Sequence, residues 1–327
     1  MIARLAIPTV LLGALALAAC KAPPPPPSAA AASWSRLPTD KAGLIGIWGT
    51  SRDDVFAVGA GGLILHYDGR GWTQMPVERG PHLIALWGTS GQDVFAVGHD
   101  GAILHYDGRT WAAMESGTRD HLRGIWGTSG QNVYVVGYGG TVLHYDGASW
   151  TPMDSGTTSD LFGIWGASES DILAVGGDMM PMPGKGLILH YDGSSWAPMA
   201  MPPSPALQGV WGSSAGDVFA CGFDVALLHY DGTAWTPMPA AASFPRNRLP
   251  ALLRTWGSGP DDVYAVGFLG ALLHYDGKTW TAMESGTKET LSGIWGSSPE
   301  DVFVLGSEGT ILRHGPTGAG GTYDRSD

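Results

Sequence analysis

Cysteine is scarce in this chain: Cys20 and Cys221 are the only two among 327 residues. A small fold stapled by disulfides is therefore excluded. In "DVFACG" Cys221 stands where "DVFAVG" has Val58, the place of a small buried apolar residue. Basic residues are few as well, 18 Lys+Arg against 30 Asp+Glu, for a net charge of −12. That balance argues against nucleic acid or an anionic lipid surface as the main partner. Beyond the N-terminal segment no stretch shows sustained helical periodicity, so a helical bundle is excluded too. The apolar run at residues 1–20 is too short for a good membrane span.

The two ends read as additions to a folded body. "MIARLAIPTVLLGALALAAC" has one early charge, Arg4, an apolar run, and then Leu17-Ala18-Ala19-Cys20. This ending resembles the lipobox of bacterial lipoproteins. The resemblance implies a signal peptide over 1–19, acylation of Cys20 and a lipid anchor in the cell envelope. Lys21, where Asp would retain the protein elsewhere, implies sorting to the outer membrane. Several acyl chains hold a protein stably where one holds it marginally. Residues 20–33 then form a linker whose five consecutive prolines favour extended polyproline II. Residues 316–327 are Gly-rich and polar, and are expected to be disordered.

Between these ends the chain repeats itself. A Trp-Gly pair begins at Trp48, Trp87, Trp126, Trp165, Trp211, Trp256 and Trp295, with spacings of 39, 39, 39, 46, 45 and 39. A second series comprises Trp34, Trp72, Trp111, Trp150, Trp196, Trp235 and Trp280, which completes the 14 tryptophans. One unit, "LIGIWGTSRDDVFAVGAGGLILHYDGRGWTQM", holds four short apolar or alternating runs separated by Gly, Asp and Ser. These are strand and turn signals. The strands are named a to d in order within a unit. Seven such units predict an all-β, seven-bladed propeller with four-stranded blades over residues 34–315. The seventh unit runs only through strand c, to about His314, and lacks its final Trp. "SWSRLP" at 33–38 carries that Trp at the start of the domain, so it is expected to close the last blade.

The unit resembles the BNR/Asp-box class of propeller repeats, including those of photosystem assembly factors. The matching residues are Ala57-Val58-Gly59, Leu63-Ile64-Leu65, Asp68-Gly69 and Trp72, with their counterparts in later units. The Asp box proper has one residue between Asp and Gly, whereas here they are adjacent. A propeller fold is implied, but it hosts many unrelated functions. Asp68 and its five counterparts suit turn capping, and Gly69 suits positive φ. Gly59 and its counterparts end strand b, where the chain reverses. Met75 and its counterparts, three residues past the second Trp, are packing residues. Six units carry a His at 66, 105, 144, 190, 229 and 274. Strand c lies roughly 15 Å from the axis, given strand spacing near 4.8 Å. The imidazoles are thus too far apart to share a metal, and structural hydrogen bonding is expected of them.

Antiparallel four-stranded blades put the b–c turns and d–a connections on one face, and the a–b and c–d turns on the other. Variation concentrates on the first face. So do the two insertions, "GGDMMPMPGKG" at 176–186 and "PAAASFPRNRLPALL" at 239–253. Loops on a rigid scaffold are common binding elements. The first insertion brings Met179, Met180, Met182 and Lys185. Thioethers can hold Cu(I), but they also suit adaptable protein contacts, which is the preferred reading. The second brings Phe244, Arg246 and Arg248, with Arg254 close behind. His121 and Arg123 join from another blade, and single-residue turn variants add His99, Asp100, Tyr138, Phe223, Asp224 and Phe268. A basic and aromatic spot on an acidic protein suits a carboxylate or an acidic protein segment. No recognisable catalytic set, metal or cofactor is expected, and the chain is expected to be monomeric. The leading expectation is a membrane-anchored, non-enzymatic scaffold binding an envelope protein. The alternatives are a lectin-like carbohydrate-binding propeller, which needs exposed repeated aromatics, and a sialidase-type glycosidase, whose arginine motif is missing.

Overall fold

The computed structural model describes residues 34–37, 39–77, 80–181, 184–240 and 250–315. The expected signal peptide over 1–19, Cys20, the expected linker over 20–33, Met182, Phe244, Arg246, Arg248 and residues 316–327 lie outside them. The described chain forms seven four-stranded sheets, one per predicted blade. In blade 1 the order is Leu44–Ser51, Asp54–Gly59, Ile64–Tyr67 and Trp72–Gln74, each antiparallel to the next. The last sheet joins Leu291–Ser298, Asp301–Gly306 and Ile311–His314 to the N-terminal strand Trp34–Leu37. Its register pairs Trp34 with His314 and Leu37 with Ile311. The ring is thus closed inside a blade, as the displaced Trp34 predicts.

Seven apolar clusters hold the ring, each shared by two adjacent blades. The cluster at the seam joins Leu44, Val55 and Leu65 of blade 1 to Phe303, Leu305 and Ile311 of blade 7. The Trp-Gly pair explains how blades fit so closely. A Cβ on Gly127 would lie 2.8 Å from Cη2 of Trp87 in the preceding blade, and the same relation recurs around the ring. Each inner-strand indole therefore lies over the next blade's glycine, and any larger residue would push the blades apart. Four of the strand d indoles, Trp150, Trp196, Trp235 and Trp280, pack deeper, with Trp280 1% exposed. Met75 Sδ lies 3.5 Å from the indole Nε1 of Trp111 in the next blade, and Met238 Sδ lies 3.5 Å from that of Trp280. The methionines are inter-blade packing residues, as expected.

The c–d turn behaves as its sequence suggests. Asp68 Oδ1 accepts the backbone N–H groups of Arg70 and Gly71, and Gly69 has φ +87°. These backbone donors hold the Asp68 carboxyl below its usual range. One expectation changes. Gly59 has φ −169°, extended backbone open to any residue. Glycine is required there because a Cβ would collide with the carbonyl of Gly43, just before strand a. The constraint is close approach of two backbones, not a reversal.

Candidate functional site

The six histidines have a structural role. Nε2 of His66 lies 2.7 Å from Oδ1 of Asp54, and the Thr50 hydroxyl donates to the other oxygen at 2.5 Å. The His–Asp pair recurs as His105–Asp93, His190–Asp171, His229–Asp217 and His274–Asp262, and the hydroxyl recurs in all of these but the blade 4 pair, where Ala167 takes its place. Five of the six imidazoles also lie against an aromatic ring of strand b, as His105 does on Phe95 at 4.3 Å, whereas His190 faces Leu173. In blade 7 Arg313 replaces the imidazole, donating to Asp301 and lying 4.8 Å over Phe303. The group resembles a hydrolytic triad in composition but not in order. The hydroxyl bonds the carboxylate rather than the imidazole, so the imidazole is not placed to take its proton as it does in such a triad. Blade 3 departs by using Asn132 against His144, at 2.7 Å. With no carboxylate there, burial holds the His144 imidazole below its ordinary value.

The b–c turns and d–a connections do share a face. The turn residues His99, Tyr138, Phe223 and Phe268 donate their backbone N–H to His82, His121, Ala206 and Ala251, each immediately before a strand a. On this face the structure assembles a continuous row. The rings of His82 and His99 stack at 5.4 Å, His99 and His121 lie 4.3 Å apart, and His121 meets Tyr138 edge-on at 5.4 Å. Tyr138 in turn meets Phe162 at 5.9 Å, and the Arg123 guanidinium lies 5.8 Å from both rings. Nδ1 of His121 accepts the backbone N–H of Asp100 at 3.1 Å. Burial, then the positive neighbours His121, His82 and Arg123, hold His99 below its ordinary value. Four of the predicted residues are thus in contact, and Asp100 is bonded to them.

Arg123 leads from this row into the axial channel. A cavity of about 140 Å³ there is lined by the first residues of the inner strands, including Arg123, Phe162, Gln208, Arg254 and Thr255. Met179, from the blade 4 insertion, approaches Gln208 Nε2 with its sulfur at 3.8 Å. Arg254 donates to the carbonyl of Leu253 at 2.8 Å. Burial, with Arg123 as the second cause, holds its guanidinium down to about 10, so it stays charged at neutral pH. Met180, Lys185 and Phe268 are exposed, and with Phe223 they make no hydrogen bond or ring contact with the row among the described residues. Leu269, beside Phe268, is 56% exposed and has φ +60°, a conformation that blades 1 and 3 give to glycine. Such strain in a leucine costs about 1–2 kcal/mol. Cys221 is fully buried, and burial pushes its thiol up to about 12, which makes it inert packing.

His82, Phe162, Gln208 and Thr255 were not among the sequence candidates. Phe162 and Gln208 occupy the place held by Ile45 and Ile84 in blades 1 and 2. Comparing units position by position marks them, but only the ring shows that this position faces the channel.

The architecture defines a seven-bladed β-propeller with a loop-rich face around its axial channel. No known protein family and no curated protein sequence matches the chain. Solved structures do. YCF48 bound to a D1 peptide is similar with a TM-score of 0.70 at 17% identity, over 86% of this chain and 97% of that one. YCF48 from Cyanidioschyzon merolae gives 0.67 at 17% identity, over 88% and 100%. The WD40 propeller domain of Doa1 gives 0.70 at 12% identity, over 86% and 96%. At these identities the likeness is one of fold.

Proposed function

We propose that this chain is a lipid-anchored, non-enzymatic scaffold of the bacterial cell envelope that binds a protein segment on its loop-rich face. The observation that carries the reading is the row from His82 to Phe162, which crosses blades 2 to 4 as a line of imidazole, phenol and guanidinium groups. Flat rings and a guanidinium at low conformational cost are what protein contacts favour. The strained, exposed Leu269 and the exposed Phe268 add apolar contact area on the same face. A propeller of this shape with a bound peptide, YCF48 with D1, is consistent with peptide binding here. Anchoring through Cys20 and an outer-membrane location rest on the lipobox resemblance, as does membership of the BNR/Asp-box class on the repeat. No aromatic ladder favours carbohydrate, since the strand d tryptophans are largely packed between blades. The channel lining holds no Asp, Glu or Tyr for glycoside chemistry among the described residues.

The test is a photo-crosslinking amino acid placed in cells at Tyr138 or Phe268, with Arg70 and Lys278 on the opposite face as controls. A partner captured from the first pair and not from the second is expected. Equal capture from both faces, or none from either, would sink the reading.

A further inference from the structure

Two observations about the channel fit no structural role in the fold. At the position two residues before the inner-strand Trp, five blades have glycine (Gly46, Gly124, Gly163, Gly209 and Gly293) and blade 2 has Ala85. Blade 6 has Arg254. The repeat builds six blades without a side chain longer than a methyl group there, so the guanidinium is not needed to make a blade. The second observation is that Arg123 lines the same cavity from blade 3. Three blades apart in a ring of seven, the two residues lie on opposite sides of the axis.

The cavity has no matching anion from the protein. Its lining holds two guanidinium groups, the amide of Gln208, the ring of Phe162, backbone and aliphatic side chains, and no carboxylate among the described residues, while the Thr255 hydroxyl there already donates to the Tyr264 carbonyl. Neither arginine forms an ion pair with a described residue, and Arg123 Nε is buried without a hydrogen-bond acceptor. Two cations of like sign facing one cavity, with a donor left open, form an electrostatically incomplete site. Arg does not escape by releasing its proton. The chain as a whole is acidic, so two guanidinium groups gathered at one cavity run against its net charge.

We infer that the channel mouth is a carboxylate-binding site, in which Arg123 and Arg254 clamp one carboxylate between them and the Gln208 amide supplies a further polar contact. The planar fork of guanidinium matches the two oxygens of a carboxylate. The size agrees. A cavity of about 140 Å³ is close to the roughly 150 Å³ that holds a benzene ring, room for a small carboxylic acid or the last residue of a peptide. The inference deepens the reading of this face as a binding face and fails separately from it. The channel can be tested with free carboxylates, without any protein partner.

The experiment uses the purified full-length chain and follows its thermal unfolding midpoint. The probes are acetate, succinate, phosphate and sulfate, each compared with chloride at matched ionic strength. An Ala/Ser peptide with a free C-terminus is compared with its amide. The expected result is a saturable rise with acetate or succinate that is lost in Arg254→Gly, the residue other blades carry there. Affinity should weaken at least about tenfold in Arg123→Gln and in Arg254→Lys, which keeps the charge but loses the fork. Stabilisation by the peptide acid and not by its amide would identify a chain terminus as the source. Stabilisation by acetate or succinate without the peptide would identify a small acid. Three results would overturn the inference: no shift with any carboxylate, a larger shift with phosphate or sulfate, or a shift that survives in both Arg254→Gly and Arg123→Gln.

Discussion

Asn132 is the residue at which one blade breaks the pairing that five others share. Its side-chain oxygen faces His144 Nε2 at 2.7 Å, and its amide donates to Thr128 at 2.7 Å. The geometry is that of the Asp–His pairs, but the negative charge is gone. Burial then governs, and it favours the neutral imidazole. Because the folded pKa is depressed, the unfolded chain takes up the proton more readily. The contribution of His144 to stability is thus full above its ordinary value of 6.5 and is lost as pH falls from there through the lower folded value. Asn132→Asp is expected to raise the His144 pKa by about one unit or more. It should also remove that part of the acid lability. A proton NMR titration of the imidazole, with unfolding followed between pH 7 and 5, checks both. An unchanged His144 titration in the variant would contradict the account.

At the scale of the element, the sequence reveals most where a local rule is strict. Blade number, strand order and the seam follow from the Trp spacing and from Trp34 lying in front of the first blade. Turn chemistry is equally readable, because Asp68 and Gly69 meet their partners within three residues. What cannot be read is any constraint set by a neighbouring blade. Gly127 is required by Trp87 of the preceding blade, and even within one blade the need for glycine at Gly59 appears only when strands a and b are paired and Gly43 is brought against it. The site divides the same way. His99, His121, Arg123 and Tyr138 stand out as variants on one face, whereas Phe162 and Gln208 gain meaning only when strand a is seen to line the channel. The seam supports a direct prediction. Deleting residues 33–38 removes a strand with four register pairs and leaves the edge Ile311–His314 bare. It should lower stability by several kcal/mol or abolish folding, at about 1 kcal/mol per backbone hydrogen bond plus the buried Trp34 face. Ending the chain at Gly315 should change the unfolding midpoint by less than a degree or two. Chemical denaturation of the two truncations side by side separates the outcomes, and equal stability would refute the role given to the seam.

For the whole molecule, the position of the break matters more than its existence. Six of the seven blade interfaces are crossed by a connection between strand d of one complete blade and strand a of the next. The seventh is crossed by the segment after Leu37, whose strand is hydrogen-bonded into blade 7 while the chain continues into blade 1. Every interface is therefore tethered, and the ring cannot open at any point without breaking a chain or a strand ladder. A circular permutant tests this. Joining His314 to Trp34 through the four-residue turn of blade 1, Asp68 to Gly71, would make blade 7 like the others. Opening the chain within residues 241–249 would leave the interface between blades 5 and 6 without a covalent crossing, held by side-chain packing, the Val225 N–H to Pro250 carbonyl bond and the bridge between Ala240 and Trp280. That packing includes Phe219, Leu252 and Trp280. The permutant should fold, because all seven blades are complete. It should nonetheless be less stable than the natural order by about 2–4 kcal/mol, the worth of a short strand ladder that no longer guards the break. Hydrogen exchange should quicken first in the strands bordering the open interface, Asp217–Gly222 and Leu252–Gly259. A permutant as stable as the natural chain, with exchange unchanged at that interface, would show that blade packing closes the ring by itself and that the shared strand is dispensable to it.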